Sequence, residues 1–220
     1  MQDAFVSGWG RESHLTAEIL ASVRGLNHRF LDLAGARAAA WRAVGRGGAA
    51  DLAGQVAPLS ALQREAAANC PYALFDLRFQ DDEYWQLRLQ NTGCRQVADA
   101  APIDEDTAIF VQLALFYAWH VASTARLAAQ LLLGMNGETV AAFRRTTVNS
   151  LPALVSTEAV NLTARWSHCG AYWNALVGAA SRPDPAGLRR VQLYGLQLAA
   201  AARLDPKNAR VAGDASRGLG

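Results

Sequence analysis

Few side chains in this 220-residue chain can do chemistry, and they are scattered. The histidines are His14, His28, His120 and His168, and no two stand at a spacing that would turn both toward one metal. His168 and Cys169 adjoin, but neighbours on a helix point about 100° apart and do not easily face a single site. Cys70, Cys94 and Cys169 make an odd number with no C-x-x-C spacing. The only lysine, Lys207, lies near the C-terminus, which leaves no core position for a Schiff-base or phosphate-loop lysine. Gly45-Arg46-Gly47-Gly48 follows an Ala-rich segment instead of a strand and reads as a loop. The chain lacks the G-x-S-x-G, H-E-x-x-H and Glu-x-x-His signatures of common hydrolases, zinc proteases and di-iron bundles. No catalytic set, metal site or cofactor is therefore expected.

One group of residues could still bind something. Tyr117, Trp119 and His120 share an apolar segment, and Trp166, Trp173 and Tyr194 fall in the two segments nearest the C-terminus. Side chains from facing helices can line an apolar pocket with one polar group in its wall, and these six are the ligand-binding candidates. The plainer alternative is core packing, with His120 hydrogen-bonded to a neighbouring helix. Asp81-Asp82-Glu83 and Asp104-Glu105-Asp106 suit helix starts, because carboxylates meet the positive end of a helix dipole. Arg144-Arg145 and Arg189-Arg190 read as solvated faces.

The elements that must position these residues are helices. From Thr107 to Leu133 the chain is almost continuously apolar, entered through the acidic triplet and left through Gly134, so one long buried helix is expected over about 105–133. Gln112, Trp119, Ser123, Arg126 and Gln130 make a polar strip along it, which argues against a membrane span. Thr16 and Glu18 open an amphipathic helix carrying Ile19, Val23, Leu26, Phe30 and Leu33. Pro58 suits the first turn of a helix ending near Cys70-Pro71. Residues 73–90 satisfy both helical spacing and strand alternation; the helix is preferred, with a minor β-hairpin as the competing reading. Ser150 and Pro152 open a segment in which Ala159, Leu162, Trp166, Cys169, Trp173, Leu176 and Ala180 recur at steps of three and four, a helical seam ended by Pro183. Leu188, Val191, Gly195, Leu198 and Ala202 repeat that spacing, which predicts a hairpin of helices with a close approach at Gly170 and Gly195.

The fold expected is all-α, an orthogonal or up-down bundle of about seven to nine helices around the central one. Residues 1–15 read as a loose lead-in, 16–204 as one helical domain with sub-halves 16–90 and 104–204, and 205–220 as a disordered tail. With 51% hydrophobic residues the chain can bury a core without metal or disulfide staples. Its net charge of +2, with the basic residues spread along the chain, does not indicate nucleic-acid binding. The odd cysteine count and the lack of a secretory signal suit reduced thiols in a cytoplasm. The resulting expectation is a non-enzymatic cytoplasmic protein acting by protein–protein interaction, as a regulator or adaptor and as a homo-oligomer. The alternative is a small-molecule sensor or enzyme with an aromatic pocket near His120.

Overall fold

The computed structural model describes residues 15–39, 47–90, 104–182 and 184–204. The expected lead-in before Leu15, the connection 91–103 and the tail 205–220 lie outside the described residues. What remains is an all-α, multi-helix fold with one very small two-stranded sheet.

Local chemistry explains where the helices start. In α1 (Ala17–Ala36) the Thr16 hydroxyl accepts a hydrogen bond from the Ile19 amide at 3.2 Å, and the stripe from Ile19 to Leu33 is buried as its spacing requires. α2 (Gly47–Val56) begins on Gly47-Gly48, which corrects the expectation of a loop there. Each glycine costs about 1 kcal/mol in a helix, and burial of Leu52, Ala53 and Val56 beside α1 offsets that cost. α3 (Ala61–Ala68) starts from a capping box in which the Gln63 amide donates to Ser60 Oγ and the Ser60 amide donates to Gln63 Oε1. Because Ser60 supplies the cap, Pro58 lies in the preceding turn instead of in the helix.

Residues 73–90 turn out to be divided between the two readings. Phe75–Asp76 is a strand, β1, and Asp82–Gln90 is a helix, α4, entered through an Asp81 carboxylate that accepts from the Tyr84 amide at 3.0 Å. The partner of β1 is not a local hairpin arm but β2 (Thr163–Ala164), paired antiparallel with Phe75 opposite Ala164 and Asp76 opposite Thr163.

The central helix is α5 (Glu105–Thr124). Asp104 caps it, accepting from the Thr107 amide at 2.9 Å and the Thr107 hydroxyl at 2.7 Å. The expected run to residue 133 is helical apart from one break at Ala125, where φ is −146° and ψ is 75°. Just before the break the Thr124 hydroxyl donates to the His120 carbonyl at 2.8 Å, a side-chain bond that competes with the regular ladder. A short turn α6 (Arg126–Ala128) then widens into a π-helical turn (Ala129–Leu133) that stops at Gly134 in the left-handed region, φ 75°. α7 (Gly137–Arg145) follows, capped by Asn136.

The seam from Ala159 to Ala180 is not one helix, which is the largest departure from the expected fold. A 3-10 segment (Val148–Leu154) leads into α8 (Val155–Ala159), then β2, then a turn, and only then α9 (Gly170–Ala180). Two tertiary demands override the helical spacing. The Arg165 amide donates to the Leu74 carbonyl at 2.9 Å, and Trp166 takes a left-handed backbone, φ 54°. α10 (Pro185–Leu204) packs against α9 to complete the expected hairpin. α1 packs on α2, α3 and α5, α3 also packs on α9, and α7 and α8 pack on α5.

Candidate functional site

Two regions have unusual side chains, one interior and one outward-facing. The interior one is built around the segment 68–74 and the turn at 165–166. Asn27 on α1 is fully buried; its carboxamide nitrogen donates to the carbonyls of Tyr72 at 2.8 Å, Ala68 at 3.2 Å and Cys70 at 3.4 Å. Its oxygen accepts from the Leu74 amide at 2.8 Å. One side chain thereby satisfies the backbone of a buried loop that has no secondary structure of its own.

The loop delivers Tyr72 into the space between α9 and α10. The Tyr72 hydroxyl lies 3.2 Å from the Tyr172 hydroxyl and within 3.4 Å of the Val191 and Gln192 carbonyls. A methyl group on Gly195 would sit 1.9 Å from that hydroxyl, so the close approach anticipated at Gly195 is made by Tyr72. Gly170, by contrast, opens α9 and no described residue comes within 4 Å of its Cβ position. Trp166 stands edge-on to Tyr72 and Tyr172, with centroid separations of 5.3 and 5.0 Å. The Arg165 guanidinium lies 4.5 Å from the Trp166 ring centroid and donates from Nη1 to the Leu132 carbonyl at 2.7 Å. That carbonyl, at the end of the π-helical turn, also accepts from the Ala73 amide at 2.8 Å. Among the described residues Arg165 Nη2 is buried without a hydrogen-bond partner, and a Cβ on Gly134 would come within 2.6 Å of it.

Burial sets the protonation of this interior. It pulls Arg165 down to about 10, against the opposing charge of Asp76, and pushes the Asp76 carboxyl above its ordinary value. The Cys70 thiol is pushed up to about 11 by burial, and burial drives both Tyr72 and Tyr172 upward. A nucleophile needs the opposite shift, toward the deprotonated form at neutral pH. The thiol and phenols here are held neutral, as hydrogen-bonding and packing groups.

A second buried polar cluster joins α4 to α8. Glu158, fully buried, accepts from the Tyr84 hydroxyl at 2.6 Å, Arg88 Nε at 3.2 Å and Asn161 Nδ2 at 3.0 Å. Burial and the neighbouring Glu158 push the Tyr84 phenol up to about 12. Among the described residues no group of three His, Cys, Asp or Glu side chains is placed to hold a metal ion.

The six ligand-binding candidates fall into two places. Trp166, Trp173 and Tyr194 gather around Tyr172, at ring separations of 5.0, 5.4 and 6.1 Å. Trp173 also donates its indole N–H to the Arg165 carbonyl at 3.0 Å, and the Tyr194 hydroxyl meets Cys169 Sγ at 3.5 Å. Tyr117 instead donates to the Ile19 carbonyl on α1 at 2.9 Å, and Trp119 to the Thr146 carbonyl after α7 at 2.8 Å. His120 is solvent-exposed, so its imidazole is not the buried group that the apolarity of its segment suggested. A cavity of about 380 Å³ opens between α9 and α10, lined in part by Ala175, Gly178, Arg182, Asp184 and Arg190. None of the six candidates lines it.

The outward-facing region is the far side of α5. Thr107, Phe110, Val111, Ala114, Ala118 and Val121 are buried, whereas Ile109 is 45% exposed and Leu113 38%. Half-buried Phe116 and exposed His120 continue the same strip, since the steps from 109 through 113 and 116 to 120 are four, three and four. Leu127 at 54% and Leu131 at 36% exposure carry apolar surface past the break. α5 is long and apolar enough to cross a membrane by length and composition, and half of its apolar window is buried inside the protein. Sequence reasoning identified the helix but assigned its outer face to Gln112, Trp119, Ser123, Arg126 and Gln130, missing that Ile109, Leu113 and Phe116 lie among them.

Compared with known proteins, the chain matches no family model, no curated protein and no solved structure.

Proposed function

We propose that this chain is a non-enzymatic, cytoplasmic protein that works by protein–protein interaction, in a regulatory or adaptor role, and that the outer strip of α5 and α6 is the surface it uses. The observation that carries the reading is the exposure of Ile109, Leu113, Leu127 and Leu131 along a segment whose other side is the core. Exposed apolar residues are ordinary when scattered, but Ile109 and Leu113 stand one turn apart beside half-buried Phe116, and Leu127 and Leu131 stand four residues apart past the break, and grouped apolar surface of that kind is where proteins meet partners. Two further features agree with a non-catalytic role. The interior thiol and phenols are held protonated by burial, and the aromatic rings near Tyr172 pack against one another. An aromatic ligand pocket near His120 finds less support, because the cavity between α9 and α10 is lined by other residues.

An apolar-surface dye tests the reading at low micromolar concentration. Wild-type protein is expected to enhance the dye's fluorescence, and the double substitution Leu113→Glu with Leu127→Glu to remove most of the enhancement while helical circular dichroism is unchanged. Equal dye binding by both proteins would refute the strip as the interaction surface.

A further inference from the structure

We infer that the cavity of about 380 Å³ between α9 and α10 is a binding site for a small organic anion, a carboxylate carried on a short apolar body. The cavity shares no residue with the α5 strip, and the two assignments stand or fall separately. Its origin lies in two helix faces that are unusually small. On α9 and just past its end, Ala175, Gly178, Ala179 and Arg182 are spaced to share one face, and on α10 Gly187, Arg190 and Val191 do the same. Facing residues of this size ordinarily let two helices close to an axial separation of about 8 Å. Here Tyr72 stands between them one turn further in. Its hydroxyl lies 3.4 Å from the Val191 carbonyl and 3.3 Å from that of Gln192, in the place a side chain on Gly195 would take. The phenol acts as a wedge that holds α10 off α9, and the small side chains toward the hairpin turn leave the space beside it unfilled.

The lining sets the ligand class. Ala179 and Val191, 9% and 7% exposed, make an apolar floor, and Arg182, Asp184 and Arg190 make a charged rim. An apolar space with a few polar groups at its mouth is the usual form of a small-molecule site. Asp184 is already engaged, because its Oδ1 accepts from the Gly187 amide at 2.8 Å to start α10 and its Oδ2 lies 3.7 Å from Arg190 Nη2. Arg182 donates only from Nε, to the Gly178 carbonyl at 3.2 Å, and has no carboxylate partner among the described residues. Two guanidiniums against one occupied carboxylate favour an anion over a cation, and their forked donors match a carboxylate.

Gly178 is the position that keeps the space open. Glycine weakens the interior of α9 relative to alanine, and a Cβ there would meet, among the described residues, only the movable Arg182 guanidinium at 3.4 Å. A larger side chain is therefore expected to enter the cavity and fill it without displacing backbone.

Amide chemical-shift titration of the full chain with sodium octanoate tests the site, with octylammonium chloride as the cation of matched length. A ligand of about ten non-hydrogen atoms is expected to bind with a Kd on the order of 1 mM, shifting the amides of Ala175, Ala179 and Val191 along one saturable curve. Octylammonium is expected to bind at least about tenfold more weakly, and Arg182→Gln with Arg190→Gln to weaken octanoate about 3- to 10-fold. Gly178→Leu is expected to abolish the saturable shifts while keeping the helical circular dichroism and an equal or higher thermal midpoint, and Ala175→Leu, which fills the same space from the next turn, to do the same. Leu113→Glu with Leu127→Glu is expected to leave them unchanged, which separates this site from apolar binding along α5. No saturation by about 20 mM octanoate overturns the inference. Equal binding of octylammonium overturns the anion assignment, and shifts that survive both filling variants, or vanish with the α5 substitutions, place the binding elsewhere and overturn the site.

Discussion

The interior around Tyr172 and the outer face of α5 are both rich in apolar side chains, yet chemistry treats them oppositely. In the first, Asn27, Tyr72, Arg165 and Trp166 are locked by hydrogen bonds and ring contacts between distant parts of the chain. In the second, Ile109, Leu113 and Leu127 keep a large share of their surface in water. Closed packing stabilises a fold, whereas open apolar surface is available to a partner. Substitutions in the two regions should therefore separate stability from association.

The largest effect is expected from Asn27→Ala. It leaves three buried carbonyls and the Leu74 amide without their side-chain partner, and should cost about 3–5 kcal/mol in urea denaturation, since each unsatisfied buried group costs about 1–3 kcal/mol. A loss under about 1 kcal/mol would show that the 68–74 loop does not depend on this clamp. The next effect is a pH dependence. Burial raises the Cys70 thiol from 9.0 to about 11 in the folded protein. A raised folded pKa gives stability that is fully present below pH 9, where both states are protonated, and lost as pH rises through 11. Wild type should lose about 2–3 kcal/mol relative to Cys70→Ala across that window, measured by denaturation at each pH. Parallel profiles for the two proteins would contradict a buried, neutral thiol.

Gly195→Ala comes third. Alanine gains about 1 kcal/mol of helix propensity over glycine, but the added methyl would lie 1.9 Å from the Tyr72 hydroxyl, whose ring is held by Trp166 and Tyr172. Overpacking costs about 1–3 kcal/mol, so the net result should be a loss of up to about 2 kcal/mol, read as a fall in the thermal midpoint. A rise instead would mean that Tyr72 swings aside freely. The smallest expected change in stability is at Leu113→Glu, within about 0.5 kcal/mol, because the side chain is already partly in water.

How much of this was legible beforehand follows from the range of each interaction. Thr16, Asp81, Asp104 and Gly134 mark helix ends through contacts within a few residues, and each could be read locally. The same holds for the all-α class and for the need to bring something close to Gly195. That the neighbour is Tyr72, more than a hundred residues away, could not be read, because nothing in either local sequence names the other. The seam through Trp166 misled for a related reason. Its three-and-four spacing is helical, but the backbone bond from Arg165 to Leu74 and the pairing of β2 with β1 come from the opposite half of the chain and prevail. Asn27 gave no signal, since an asparagine in an amphipathic helix ordinarily faces water. On α5 the polar residues announced an outer face, while the apolar ones beside them were assigned to the core by type.

The most direct test of the division between a structural interior and an interacting exterior is one comparison of wild type with the double substitution Leu113→Glu and Leu127→Glu, measuring urea midpoint and apolar-dye fluorescence on the same samples. The predicted result is an unchanged midpoint with most of the dye enhancement lost. A lowered midpoint, or dye enhancement that persists unchanged, would place these leucines in the core or the apolar surface elsewhere, and would contradict the account.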